Sequence, residues 1–109
     1  MSTRATIRFT ERGGSHPFYV YLHSDGNPAC VLPDIQKTVE KAESILLSVD
    51  SGIMTTLFLT MQDTERFDKG RAPVYVITPC FHGDESYRYF VEVTDDGKIE
   101  FGIIRERMG

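Results

Sequence analysis

Residues 33–49 read Pro-Asp-Ile-Gln-Lys-Thr-Val-Glu-Lys-Ala-Glu-Ser-Ile-Leu-Leu-Ser-Val, and the apolar spacing within them decides the fold. Ile35, Val39, Ala42, Leu46 and Val49 recur at intervals of four, three, four and three, which places them on one face of a helix. Pro33 supplies the fixed φ that suits a first helical position, and Asp34 puts negative charge at the positive end of the helix dipole. A helix from Pro33 to about Val49 with one apolar stripe needs an apolar layer to pack on. The flanking segments supply it as strands.

Upstream, residues 3–10 alternate Ala5, Ile7 and Phe9 with Thr6, Arg8 and Thr10, the period of a half-buried strand. Gly13 and Gly14 free the backbone for a hairpin connection, and Phe18, Val20 and Leu22 then alternate with Tyr19, Tyr21 and His23. Residues 24–28, Ser-Asp-Gly-Asn-Pro, form a dense turn cluster in which Gly26 can take left-handed angles.

Downstream, Asp50 or Ser51 can cap a second helix over residues 53–66, with Ile53, Met54, Leu57, Phe58 and Met61 on one face. Gly70 and Pro73 mark an exit loop over residues 68–73, and the β-branched run 74–78 suits a central strand. Tyr87, Tyr89, Val91 and Val93 alternate along the next strand. Asp95, Asp96 and Gly97 turn the chain, and Ile99, Phe101 and Ile103 answer across a hairpin. The order is ββααβββ, and the expected fold class is α+β: one domain over residues 1–109, a mostly antiparallel five-stranded sheet with two helices packed on one face.

Composition narrows the function. Twelve Lys and Arg against sixteen Asp and Glu give a net charge of −4, with the basic residues scattered. This argues against duplex nucleic acid as partner, since such binding depends on clustered cations neutralising phosphates. Cys30 and Cys80 have no metal-motif or redox-motif spacing, and the chain begins without an apolar leader. Reduced thiols, no membrane insertion and a cytoplasmic location are the corresponding expectations.

Two short elements carry the candidate chemistry: His23 with Asp25 after the second strand, and His82 with Asp84 after the third. If those strands end on the same edge of the sheet, two imidazoles and two carboxylates converge and can hold a transition metal or a hydrolytic water, with the histidines as ligands or acid-base groups and the aspartates orienting them. Cys30 and Cys80, near the same loops, would bias such a site toward zinc. The plainer reading is that Asp25 and Asp84 serve turns and the histidines lie on the surface, because His-x-Asp lacks the spacing of known metal motifs. No cofactor is therefore expected. Tyr19, Tyr21, Tyr75, Tyr87 and Tyr89 are read as core or helix-packing tyrosines, since a base-stacking sheet would need a positive groove. Phe90 and Ile104 lie on the otherwise polar sides of their strands, which points to cover by a loop or by a second copy in a homodimer.

The opening Ser2 to Ile7, the turn Tyr21-Leu22-His23-Ser24-Asp25-Gly26-Asn27-Pro28 and the stretch His82-Gly83-Asp84-Glu85-Ser86-Tyr87-Arg88-Tyr89 together resemble a family of small uncharacterised proteins of bacteriophages and prophage-bearing bacteria. The resemblance touches most of the chain through short motifs. It implies a phage or prophage origin and a bacterial host cytoplasm, and it brings no reaction, cofactor or catalytic residue. Relatives often carry aromatic residues where this chain has Ser24 and Asn27, which counts against a stacking role for the turn. The leading expectation is an accessory protein acting by protein–protein contact, with a host factor as the candidate partner. The alternative is a metal-binding protein or metal-dependent hydrolase using His23, Asp25, His82 and Asp84.

Overall fold

The computed structural model describes residues 3–23, 25–45, 49–68 and 75–105, the side chains of 63–68 and 105 excepted. Its elements are β1 (Ala5–Glu11), β2 (Ser15–Leu22), α1 (Pro28–Ile45), α2 (Ser51–Asp68), β3 (Tyr75–Thr78), β4 (Tyr87–Val93) and β5 (Ile99–Arg105). The strands form one sheet in the order β3-β2-β1-β4-β5. Three pairings are antiparallel, and the β1–β4 pairing is parallel, with Ile7 opposite Tyr89 and Phe9 opposite Val91. The sheet is thus mixed, and β1 is its centre.

The sheet interior places β3 at an edge, where a central strand was expected from the run Val74 to Thr78; Val74 itself lies outside the described residues. Val76 and Ile77 are exposed there, so their β-branched character reflects strand propensity without burial on both faces. Asp68, expected to open the exit loop, still belongs to α2, and residues 69–73 of that loop lie outside the described residues.

Both helices begin earlier than the spacing predicts. Asn27 caps α1: its side-chain Oδ1 accepts from the Cys30 amide at 3.2 Å, and Pro28, not Pro33, takes the first helical position. Pro33 sits inside the helix on its exposed side, where it forgoes one ladder bond. The stripe holds for Ile35, Val39 and Ala42, and gains Val31 and Thr38. Leu46 lies outside the described residues, and half-buried Val49 belongs to the connection to α2. Asp50 caps α2 through a 2.7 Å bond from the Ile53 amide. Met54 and Phe58 are buried, whereas Ile53 and Met61 are exposed, so the α2 face that packs is narrower than the five-residue reading.

These helix residues join Ala5, Ile7, Phe9, Val20, Leu22, Tyr75, Tyr89, Val91 and Val93 in one apolar core on one face of the sheet. Phe58 meets Phe9 at 5.5 Å and Tyr75 at 4.7 Å between ring centroids. Two tyrosine hydroxyls in this layer find partners: Tyr89 donates to the Gly26 carbonyl at 2.7 Å and Tyr75 to Asp34 at 2.8 Å. In the turn after β2 it is Asp25, with φ 60°, that takes the left-handed angles expected of Gly26. Gly26 is required for another reason: a Cβ there would lie 2.7 Å from that of Ala5 and 2.8 Å from the Thr3 carbonyl oxygen.

Because β3 runs parallel to β4, the chain must cross β2 and β1 between them, and residues 79–86 do so over the face that the helices leave open. This crossover builds the candidate site.

A candidate site under the crossover

Strands β2 and β3 are antiparallel neighbours, so they end at opposite ends of the sheet, against the condition for convergence set out above. The crossover restores part of it by doubling back. Ser86 and Tyr87 donate to the Arg4 carbonyl at 2.9 and 3.3 Å, which returns the chain to the end where β2 finishes. His82 is carried onto Tyr21, their rings stacked with centroids 3.7 Å apart and planes 12° from parallel. His23, two residues beyond Tyr21 and on the same side of its strand, lies with Nδ1 3.3 Å from the Tyr21 hydroxyl. One tyrosine is thus flanked by both histidines.

The carboxylates part company. Asp84 accepts from Arg4 at 2.6 Å and lies 3.9 Å from His82 Nδ1. Asp25 is exposed in its turn and joins neither histidine in any described contact. Cys30, on α1, and Cys80, in the crossover, are free and exposed. Among the described residues no three His, Cys, Asp or Glu side chains come close enough to hold a metal ion.

The residue that organises the site is Glu85, which the sequence pattern did not single out. It is buried, and its two oxygens accept four bonds: from Thr6 Oγ1 at 2.7 Å and the His82 amide at 2.9 Å on one, and from Arg88 Nε at 2.9 Å and the Gly83 amide at 3.1 Å on the other. Burial by itself pushes the Glu85 carboxyl up, but the bonds from Thr6, Arg88 and the two amides outweigh it and hold the group below the ordinary glutamate value. Gly83, at φ 95°, provides the left-handed turn that aims its own amide inward. Phe81 completes the cover, edge-on to Tyr19 at 5.0 Å and under the Arg88 guanidinium at 4.2 Å. The five tyrosines therefore divide, with Tyr75, Tyr87 and Tyr89 on the helix side and Tyr19 and Tyr21 beneath the crossover.

Chemically the carboxylates and the phenol of the cluster are committed within it, while the His23 and His82 rings are exposed. Burial, followed by the nearby Asp84 charge, raises the Tyr21 phenol above its usual value, so it stays protonated at neutral pH. Asp84 is neutralised by Arg4, and Glu85 has no acceptor capacity left for a water or substrate. An acid-base pair needs a group with a free lone pair facing a cleft. Among the described residues, two clefts of about 310 and 340 Å³ share Glu11 and His16 near the start of α2, and one of about 350 Å³, beside the start of the crossover, is lined by Pro17, Phe18, Tyr19, Ile77, Thr78 and Pro79. At the first two, Glu11 is engaged by the Ser51 amide at 3.2 Å and hydroxyl at 3.1 Å.

Phe90 is half-buried, whereas Ile104 is exposed. The Phe90 ring lies over Gly102, where it would meet a Cβ at 3.1 Å, and the register slip between Arg88 and Tyr89 makes Ile104 the extra residue of a bulge. No described helix is long and apolar enough to cross a membrane. Comparison with protein-family models, with curated proteins and with solved structures finds no match to this chain.

Proposed function

We propose that the protein acts by contact with other protein chains, and that the outer edge of β3 from Val76 to Thr78 is the surface of contact. One observation carries the reading. Among the described residues β3 pairs with β2 on one side and with no strand on the other, and Val76 and Ile77 are 54% and 69% exposed. The residues forming this margin, 17–19 and 75–79, include no charged side chain. Edge strands are commonly protected by Lys or by inward-pointing charges, because an uncharged apolar edge invites another strand to pair with it. An added strand gains main-chain hydrogen bonds, and its alternate side chains seek pockets such as the 350 Å³ cleft beside Phe18 and Ile77.

The crossover agrees with this reading in one respect: its buried carboxylate, Glu85, is fully engaged by four donors and serves to hold the segment down. The motifs resembling phage and prophage proteins favour a factor of the bacterial host, met in its cytoplasm, as the foreign partner. Affinity capture from bacterial lysate tests this with wild type, Ile77→Lys and His82→Ala. A specific partner should be held by wild type and by His82→Ala and lost with Ile77→Lys. Capture that survives Ile77→Lys but fails with His82→Ala would move the function to the crossover.

A further inference from the structure

Resting on that reading, we infer that the occupant of the β3 edge in the isolated protein is a second copy of this chain, paired antiparallel so that two five-stranded sheets join into one of ten. Opposite residues in an antiparallel pair point to the same face. A two-fold axis perpendicular to the sheet keeps the helices of both copies on one side, so it must lie midway between one residue and its own symmetry mate. Val76 and Ile77 each allow three pairs within the described strand, and Ile77, the more exposed of the two, is the centre. With Ile77 opposite its symmetry mate, Val76 faces Thr78 of the second copy, and all three pairs fall within the described strand.

The side chains agree with this register. Ile77, Phe18 and Val20 share the helix side of the sheet, and Ile77 is the most exposed large apolar residue described. At the axis the two Ile77 side chains cover each other and the mouths of the two clefts beside Phe18 and Pro79. Pro79 has no N–H and ends the pairing just beyond Thr78, which limits slippage. Charge allows the pairing as well. The chain carries −4, yet residues 17–19 and 75–79 of the margin carry no charge, so at these positions two copies meet without opposing like charges. A foreign strand would have to displace the second copy from the same edge.

Light scattering during size exclusion tests the inference on the whole chain at about 10 to 100 µM, the range in which modest interfaces assemble. Wild type and Ile77→Val should show twice the 12.4 kDa chain mass. Ile77→Lys should show the single mass with an unchanged circular dichroism spectrum, because the side chain lies outside the core. Ile104→Lys, on the opposite edge, should remain double. Amides of residues 76–78 should exchange at least tenfold faster in Ile77→Lys than in wild type. A wild-type monomer overturns the inference, as does a dimer that survives Ile77→Lys or dissolves with Ile104→Lys. If the wild type is monomeric and still captures a host protein through Ile77, the inference falls and the reading of the edge stands. If Ile77→Lys alters neither mass nor capture, both fall.

Discussion

On one face of the sheet two helices press Ile35, Val39, Met54 and Phe58 onto Ile7, Phe9, Val20 and Tyr89. On the other, residues 79–86 cross over and are organised by one buried carboxylate, Glu85, with the Tyr21–His82 stack and the Arg4–Asp84 pair beside it. The first cover works through area: many apolar contacts, each small, none indispensable in kind. The second works through saturation, because Glu85 would be costly to bury were any of its four donors missing. A broad apolar cover should lose stability in proportion to the volume removed. A polar clamp should fail when one group is changed and should respond to pH.

The comparison breaks most visibly at Phe58. Phe58→Ala should cost about 4 kcal/mol, the usual range for a truncated core aromatic, and urea unfolding would read it directly. Glu85→Ala should cost about 3 kcal/mol by leaving Arg88 and two inward amides without their acceptor, and it should speed amide exchange across residues 79–86 while the helices stay protected. If the exchange rise were uniform over the whole chain, the crossover would not be a separate unit.

Acid sharpens the contrast. Glu85 titrates lower in the folded chain than in the unfolded one, so the unfolded chain takes up the proton first as pH falls. Its contribution is therefore complete above the ordinary glutamate value of about 4.3 and is lost as pH drops through the lower folded value. The stability gap between wild type and Glu85→Gln should be widest near neutrality and narrow in acid, while the loss from Phe58→Ala should stay nearly constant.

Phe81→Ala, which removes the contacts to Tyr19 and Arg88, should cost roughly 1 kcal/mol. Arg4→Ala should cost less than about 1 kcal/mol, because the Arg4–Asp84 pair is 40% and 47% exposed and is screened by water. The smallest effect expected is none at all: zinc added to the protein should leave the NMR signals of His23 and His82 in place. A specific shift of both would return a metal to the site.

Much of the helix-covered face was legible in advance. Alternation in residues 87–93 and 99–105 matched β4 and β5 at both ends, and the stripe through Ile35, Val39 and Ala42 faced the core. The errors there are boundary errors with local causes: Asn27 and Pro28 start α1 because capping acts before periodicity begins, and Asp25 took the left-handed angles because Gly26 was needed against Ala5. The crossover was not legible in this way. His23 and His82 were singled out and do meet at Tyr21, but through a doubling back that no local spacing encodes, and Asp25 was left aside.

Taken alone, the amino-acid order determined which segments are helix and strand, which of their faces are apolar, and that one core of α+β type would form. Those are properties of neighbours within a turn or a pleat, and periodicity records them. Tertiary structure alone decided that β1 and β4 run parallel, that β3 stands at the edge, and that Glu85 closes on Thr6 from 79 residues away. Such pairings are chosen by how distant surfaces fit and by which donors a buried carboxylate can collect, and nothing in the residues flanking either partner specifies them.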